Sequence, residues 1–153
     1  MMPANQITAP FDASMIEEIT HHCLLTRTRT ISRVITSIYD QAMRPFGINA
    51  SQFSLLVLIT RLGAPSRAEL GRANHQERST STRNLQLVLS DGWVEEQMPE
   101  SGRRRPIVVS PAGKALLEAA MPAWREAQAK AKRLLGEEGA AALVKLAAGL
   151  PPE

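Results

Sequence analysis

Aromatic side chains are scarce. Three Phe, two Trp and one Tyr serve a chain of 153 residues, of which 44% are hydrophobic. A core must therefore be filled by Leu, Ile, Val, Met and Ala, as in helical bundles. Cys23 stands alone, which excludes an internal disulfide and fits a reducing compartment. No apolar run approaches the roughly 20 residues that span a bilayer, so no membrane partner is expected. Residues 1–10 lack the basic and apolar regions of a secretory leader, and a cytoplasmic location is the expectation. Charge of one sign is not in great excess either, with 18 Lys and Arg against 15 Asp and Glu and a net charge of +3. That balance permits nucleic-acid binding without demanding it, so the placement of the cations matters more than their sum.

Catalytic constellations are missing too: there is no Gly-rich phosphate loop, no Ser elbow and no carboxylate pair at a telling spacing. An enzyme is not expected, and no cofactor is implied. A metal site is not expected, because His21 and His22 point about 100° apart on a helix. His75 lies far off in a turn, and a single Cys offers no zinc set.

What is present is helical periodicity. Ile31, Val34, Ile35, Ile38, Tyr39 and Ala42 recur at three- and four-residue intervals, and Ile19 and Cys23 extend the stripe backwards. The spacing predicts one long helix over 16–43, ended by Arg44-Pro45 and Gly47. A second helix, with Asn49 or Ser51 as N-cap, carries Phe53, Leu55, Leu56, Leu58, Ile59 and Leu62 and reads as a buried central element. Gly63-Ala64-Pro65 breaks it. Ser66 and Glu69 then form a capping box for a short helix whose Ala68 and Leu70 should face inward.

The stretch 77–90 is the most informative. Leu85, Leu87, Val88 and Leu89 anchor its second half, while its first turns show only Arg78, Ser79, Thr80, Ser81, Thr82 and Arg83. Hydroxyl and guanidinium groups at a helix N-terminus suit a surface that meets phosphates and base edges. A solvated first turn would look the same, so the helix alone leaves both readings open. Asp91-Gly92 ends it. Two short strands come next, over 93–98 and 106–109, around a loop containing Arg103, Arg104 and Arg105. Pro111 opens another long helix, with Leu116, Leu117, Ala120, Trp124, Ala127, Ala131 and Leu134 on one stripe and Pro122 as an expected kink. A last short helix is expected over 140–148. The terminal helices carry more apolar stripe than one small lobe can cover, which points to a homodimer.

In this order, several stretches resemble the MarR family of dimeric winged helix-turn-helix transcriptional regulators. They are Ile38-Tyr39-Asp40, Arg44-Pro45-Phe46-Gly47-Ile48, Gln52-Phe53-Ser54-Leu55-Leu56, Arg78 to Leu85, Asp91-Gly92-Trp93-Val94-Glu95 and Ser110-Pro111-Ala112-Gly113. The resemblance covers roughly residues 23–135. It implies an α+β, mostly α fold in one domain over 1–153, in which 49–110 form the winged helix-turn-helix and 15–44 with 111–150 form a dimerisation lobe. It further implies a ligand-responsive repressor that binds double-stranded DNA at a pseudo-palindromic operator, with one recognition helix of each copy in successive major grooves. Ser79, Thr80, Thr82 and Arg83 would meet base edges and phosphates, Arg78 a phosphate, and the wing arginines Arg103, Arg104 and Arg105 the minor groove.

Two positions depart from the family pattern. The wing's usual Asp-x-Arg falls on Ser101 and Arg103, so its carboxylate clamp is missing unless Glu100 replaces it, and Ser81 stands where an aliphatic residue is usual. The resemblance also implies release of DNA by a small aromatic or phenolic effector, for which His21, His22, Cys23 and Arg29 are the candidate residues. Cys23 has two readings, a small buried apolar residue on the helix stripe or an oxidation switch. A winged-helix adaptor or antirepressor that does not bind DNA is the alternative from a different class.

Overall fold

The computed structural model describes residues 10–74, 78–99, 102 and 104–150. The chain divides into two compact units, residues 1–35 and 36–153.

In the first unit, Asp12 opens helix α1 (Ala13–His22) by accepting the Ser14 N–H at 2.9 Å, and hydrogen bonding from the Ser14 side chain, then from its backbone, holds the carboxyl below the usual range. The single helix expected over 16–43 is two helices. The chain is extended at Cys23, with φ −67 and ψ 110, before α2 (Leu24–Met43) begins. Arg27 supplies the physical reason: its Nη2 donates to the carbonyls of Thr20 and His21 at 2.8 and 3.2 Å. Those are acceptors that a helix end leaves without intrahelical partners. No described residue before position 36 is buried, and Ile16, Ile19, Leu24 and Leu25 are all exposed.

The second unit holds the core. The end of α2 passes into a 3-10 turn, Arg44–Phe46, which Gly47 closes at φ 71 in the left-handed region that glycine adopts without steric cost. Asn49 is the N-cap of α3 (Ala50–Leu62). It makes a reciprocal capping box with Gln52, and Asp40 of α2 accepts the Ala50 N–H at 2.8 Å. Helix α3 touches α4 (Arg67–Ala73), α5 (Arg78–Ser90), the strand β2 (Ile107–Val109) and α6 (Pro111–Ala148). Its Phe53, Leu55, Leu56 and Ile59 form the centre of a core shared with Met43, Leu70, Leu85, Val88, Val94, Ile107, Leu116 and Ala120. Burial of such side chains is worth about 1.5–3 kcal/mol each, which is why the short helices around α3 hold their places. A smaller cluster of Ile38, Ala127 and Ala131 joins the end of α2 to α6, where the Tyr39 hydroxyl donates to Gln128 Oε1.

Ser66 and Glu69 form the expected capping box on α4. Ala68, expected to face inward, is exposed, and Leu70 is the buried residue of this helix. The two positions lie about 200° apart around a helix, so they cannot share a face. Strand β1 (Val94–Glu96) pairs antiparallel with β2, Val94 opposite Val109 and Glu96 opposite Ile107. Each strand is shorter than the sequence suggested. The Ile107 N–H donates to the Pro65 carbonyl at 2.8 Å, tying the hairpin to the segment before α4. In α6, Pro122 keeps helical backbone angles and the break falls at Gly136, φ 74 and ψ 164. The glycine can take a left-handed conformation that bulkier residues resist, and the expected last helix lies beyond it.

Candidate nucleic-acid interface

Helix α5 has two characters. Asn84, Leu85 and Val88 are buried and Ser81 and Leu89 are half-buried, while Arg78, Ser79, Thr80, Thr82, Arg83, Gln86 and Leu87 are exposed. The side chains expected to meet DNA, other than Arg103, thus all stand at the surface, five of them in the first two turns of one helix whose far end is fixed in the core. Positions 79, 83 and 86 are separated by four and then three residues and lie on one face. Gln86 therefore joins the candidate set. Its type and that spacing were visible in the sequence, but the apolar Leu85 and Leu87 on either side hid it. Its amide reaches Ser90 Oγ at 3.4 Å.

Ser81 of α5 is tied to Asn74, the residue that caps the end of α4. Asn74 Nδ2 donates to Ser81 Oγ at 3.1 Å, so a hydrogen bond takes the place of the aliphatic packing usual at that position. The Thr82 hydroxyl donates to the Arg78 carbonyl at 2.9 Å and keeps its lone pairs for an incoming donor.

The hairpin lies against the start of α6. The Trp93 N–H donates to the Val88 carbonyl, the Ser110 N–H to the Trp93 carbonyl, and Ser110 Oγ to the Gly92 carbonyl at 2.6 Å, while Ser110 Oγ accepts from the Gly113 N–H. These bonds join the end of α5, the hairpin and α6 into one frame. Arg105 is exposed; Arg103, Ser101, Glu100 and His75 lie outside the described residues, so the Asp-x-Arg clamp question does too. Arg104 is engaged: its Nη2 donates to Glu69 Oε2 at 2.9 Å and to the Ala64 carbonyl at 3.3 Å. A second ion pair, which sequence reading missed, sets Arg67 bidentate on Glu96 at 3.0 and 3.2 Å.

Both carboxyls are held below the ordinary glutamate range. For Glu69 the chief cause is hydrogen bonding from Ser66, with Arg104 adding to it. For Glu96 it is the hydrogen bond from Arg67, with the positive charges of Arg67 and Arg105 adding to it. A carboxyl depressed in the folded state contributes stability above its unfolded value, about pH 4.3, and loses that contribution as pH falls through the folded value. A carbon-detected NMR titration should accordingly show both glutamates with midpoints below that value, and Arg67→Ala should return Glu96 towards it while leaving Glu69 in place. An unshifted Glu96 in the native chain would remove the ion pair from the account.

The candidate effector residues do not form one group. His21 Nε2 pairs with Glu17 at 3.2 Å and its ring lies edge-on to His22, whereas Arg29 lines a shallow concavity with Thr28, Ser32 and Arg33. Cys23 is half-buried at the break between α1 and α2 and not on a continuous stripe. Its thiol is lowered from the ordinary range by hydrogen bonding from Thr26, first through the side chain and then through the backbone. Among the described residues there is no group of three His, Cys, Asp or Glu side chains that could hold a metal, and no helix long and apolar enough to cross a membrane.

A three-helix unit with a polar-tipped third helix and a basic hairpin beside it is a winged helix-turn-helix, a class whose third helix and hairpin face nucleic acid. No protein-family model matches the chain. The transcriptional regulator MosR of M. tuberculosis is 30% identical, with 84% of this chain and 98% of that one covered and a TM-score of 0.67. The same regulator in complex with DNA matches at 30% identity, over 84% and 100% of the two chains, with a TM-score of 0.64. A mutant MarR of E. coli complexed with operator DNA shares the fold at 21% identity and a TM-score of 0.75, over 88% and 98%. An uncharacterised HTH-type transcriptional regulator of Bacillus subtilis, YwoH, is 25% identical over 87 residues, 57% of this chain and 64% of that protein, so the match spans under two thirds of its length. The chain belongs to the MarR family of winged helix-turn-helix transcriptional regulators, which are not enzymes.

Proposed function

We propose that this chain is a cytoplasmic repressor that binds a pseudo-palindromic operator in duplex DNA as a homodimer. The observation that carries the reading is the split of α5, with Arg78, Ser79, Thr80, Thr82, Arg83 and Gln86 outward and Asn84, Leu85 and Val88 inward. Arg83 and Gln86 have the reach and donor sets for base edges, the hydroxyls adapt to bases or phosphates, and Arg78 and Arg105 suit phosphates. A second copy is supported by apolar side chains left exposed at both ends of the chain: Ile16, Ile19 and Leu25 on the early helices, and Leu143, Val144 and Leu146 on α6. Small-ligand control is supported by an open groove of about 630 Å3, lined by apolar side chains that include Ile38, Phe46 and Ala127 and by Gln41, Glu126, Lys130 and Arg133. An apolar lining in which two cations outnumber one carboxylate suits a small aromatic acid or phenol.

Fluorescence anisotropy with a labelled duplex from upstream of the chain's own gene, against random duplex, tests the reading. Specific binding at physiological salt is expected. Arg105→Ala should flatten the slope of log affinity against log salt by about 0.9 for each phosphate no longer neutralised, about 1.8 for a pair of copies. An unchanged slope would take the hairpin cation out of the interface.

A second reading, with Cys23 as an oxidation switch, is favoured by its place as a free, partly exposed thiol at the extended break between α1 and α2, where hydrogen bonding from Thr26 lowers it. Peroxide should then release DNA from the native chain and not from Cys23→Ser. Release from both would end that reading.

A further inference from the structure

Arg104 shares a basic loop with cations expected to project towards DNA, yet its guanidinium is turned back onto the start of α4. The carboxylate that receives it is already part of the helix cap, because Glu69 Oε2 accepts the Ser66 N–H at 2.7 Å and Arg104 Nη2 at 2.9 Å. The second acceptor is the carbonyl of Ala64, a non-glycine residue in the left-handed region at φ 57. That conformation is uncommon without a compensating contact. Beside it the Pro65 carbonyl takes the Ile107 N–H, and Arg67, the first residue of α4, holds Glu96 of β1. The hairpin is thus fastened to one end of one short helix by two ion pairs and a backbone hydrogen bond, on both of its arms.

We infer that Glu69 is a positioning residue for the hairpin. Acting through Arg104, it sets where the returning arm lies, so that Arg104 is a strap and its neighbour Arg105 is the cation offered to the duplex. The charge arrangement supports this assignment. Moving Arg104 onto a phosphate would break a charge-assisted hydrogen bond and leave the Glu69 carboxylate uncompensated near the negative DNA backbone. Exposed ion pairs of this kind contribute little to global stability. Their effect here comes from location, at the joint between the DNA-facing hairpin and the helix-turn-helix.

The inference rests on the proposed DNA-binding function, and Glu69→Gln tests it. Glutamine keeps the capping box with Ser66 while removing the charge that holds Arg104, so the unfolding midpoint should stay close to that of the native chain. The Ile107 amide of the free protein should exchange faster. Duplex affinity should fall about three- to tenfold, consistent with a modest surface pair present in two copies, and the salt slope should flatten with it. Arg104→Ala should cause the same loss, and the double variant should lose no more than either single one, because both changes cut the same link. Tighter or unchanged binding by Glu69→Gln would show that Arg104 is a DNA-binding side chain merely held in reserve, and additive losses would show two independent roles; either overturns the inference. If the native chain itself fails to bind duplex, the DNA reading falls separately. The exchange rate at Ile107 in the free variant then decides the strap, faster exchange supporting it and unchanged exchange overturning it.

Discussion

Arg83→Ala should weaken specific operator binding at least about 30-fold while leaving the fold untouched. The side chain is exposed on α5, one turn after Ser79 and one turn before Gln86. A bidentate arginine contact to a guanine edge is worth about 1–3 kcal/mol of discrimination. With one such contact from each of two copies, the loss is about 2–6 kcal/mol, at least about 30-fold in affinity. Binding to random duplex should fall far less, because the proposed reading assigns the sequence-independent phosphate contacts to other cations, Arg78 and Arg105 among them. Anisotropy on specific and random duplexes, alongside thermal unfolding, separates the outcomes. An equal loss on both duplexes would reduce Arg83 to a phosphate contact.

The largest effect on stability should come from Gly113→Ala. Gly113 is buried in the first turn of α6, directly over the start of β1, and a Cβ there would lie 2.1 Å from the Trp93 carbonyl oxygen and 2.7 Å from Val109 Cγ1. Alanine is ordinarily the better helix former by about 1 kcal/mol, so propensity alone predicts stabilisation. Steric contact decides the sign. The oxygen belongs to backbone that also accepts the Ser110 N–H at 3.0 Å, so it cannot retreat without losing that bond and shifting the hairpin. Overpacking of a tight site costs about 1–3 kcal/mol and occasionally more, and contact with fixed backbone places this site at the upper end. Thermal or urea unfolding should show destabilisation of about 3 kcal/mol or more. Gly71→Ala is the control, since nothing lies within 4 Å of a Cβ built there. An unaltered midpoint for Gly113→Ala would mean that α6 does not sit directly on the hairpin.

Much of this frame is legible in the sequence. Ser66 with Glu69 is a capping box, and a local motif of that kind depends only on residues three apart, while of the two N-caps open for α3 the structure uses Asn49. Gly47 and Gly92 mark turns that need positive φ, and both have it. The polar first turns of α5 are readable because hydrophobic periodicity shows which half of a helix is anchored. Effects carried by long side chains across the fold are not. The break at Cys23 has no Pro or Gly to announce it, and the Arg27 guanidinium that satisfies the freed carbonyls lies seven residues from Thr20. Arg104 resembles its neighbours in sequence, and only the fold brings Glu69, 35 positions away, to meet it. Arg67 and Glu96, 29 positions apart, are the same kind of pair. The steric role of Gly113 is equally hidden, because Ser-Pro-Ala-Gly reads as a helix start and says nothing of the carbonyl above it.

Selection of bound duplexes from a random pool tests the central claim most directly. If two α5 helices read one duplex, the enriched sequences should carry two related half-sites in inverted order, with centres about 10 bp apart, one turn of the double helix. Enrichment of that pattern should disappear with Arg83→Ala. A pool in which no sequence is enriched, or in which a single unpaired site is enriched and survives the loss of Arg83, would contradict the assignment of this chain as a regulator that reads its operator through α5.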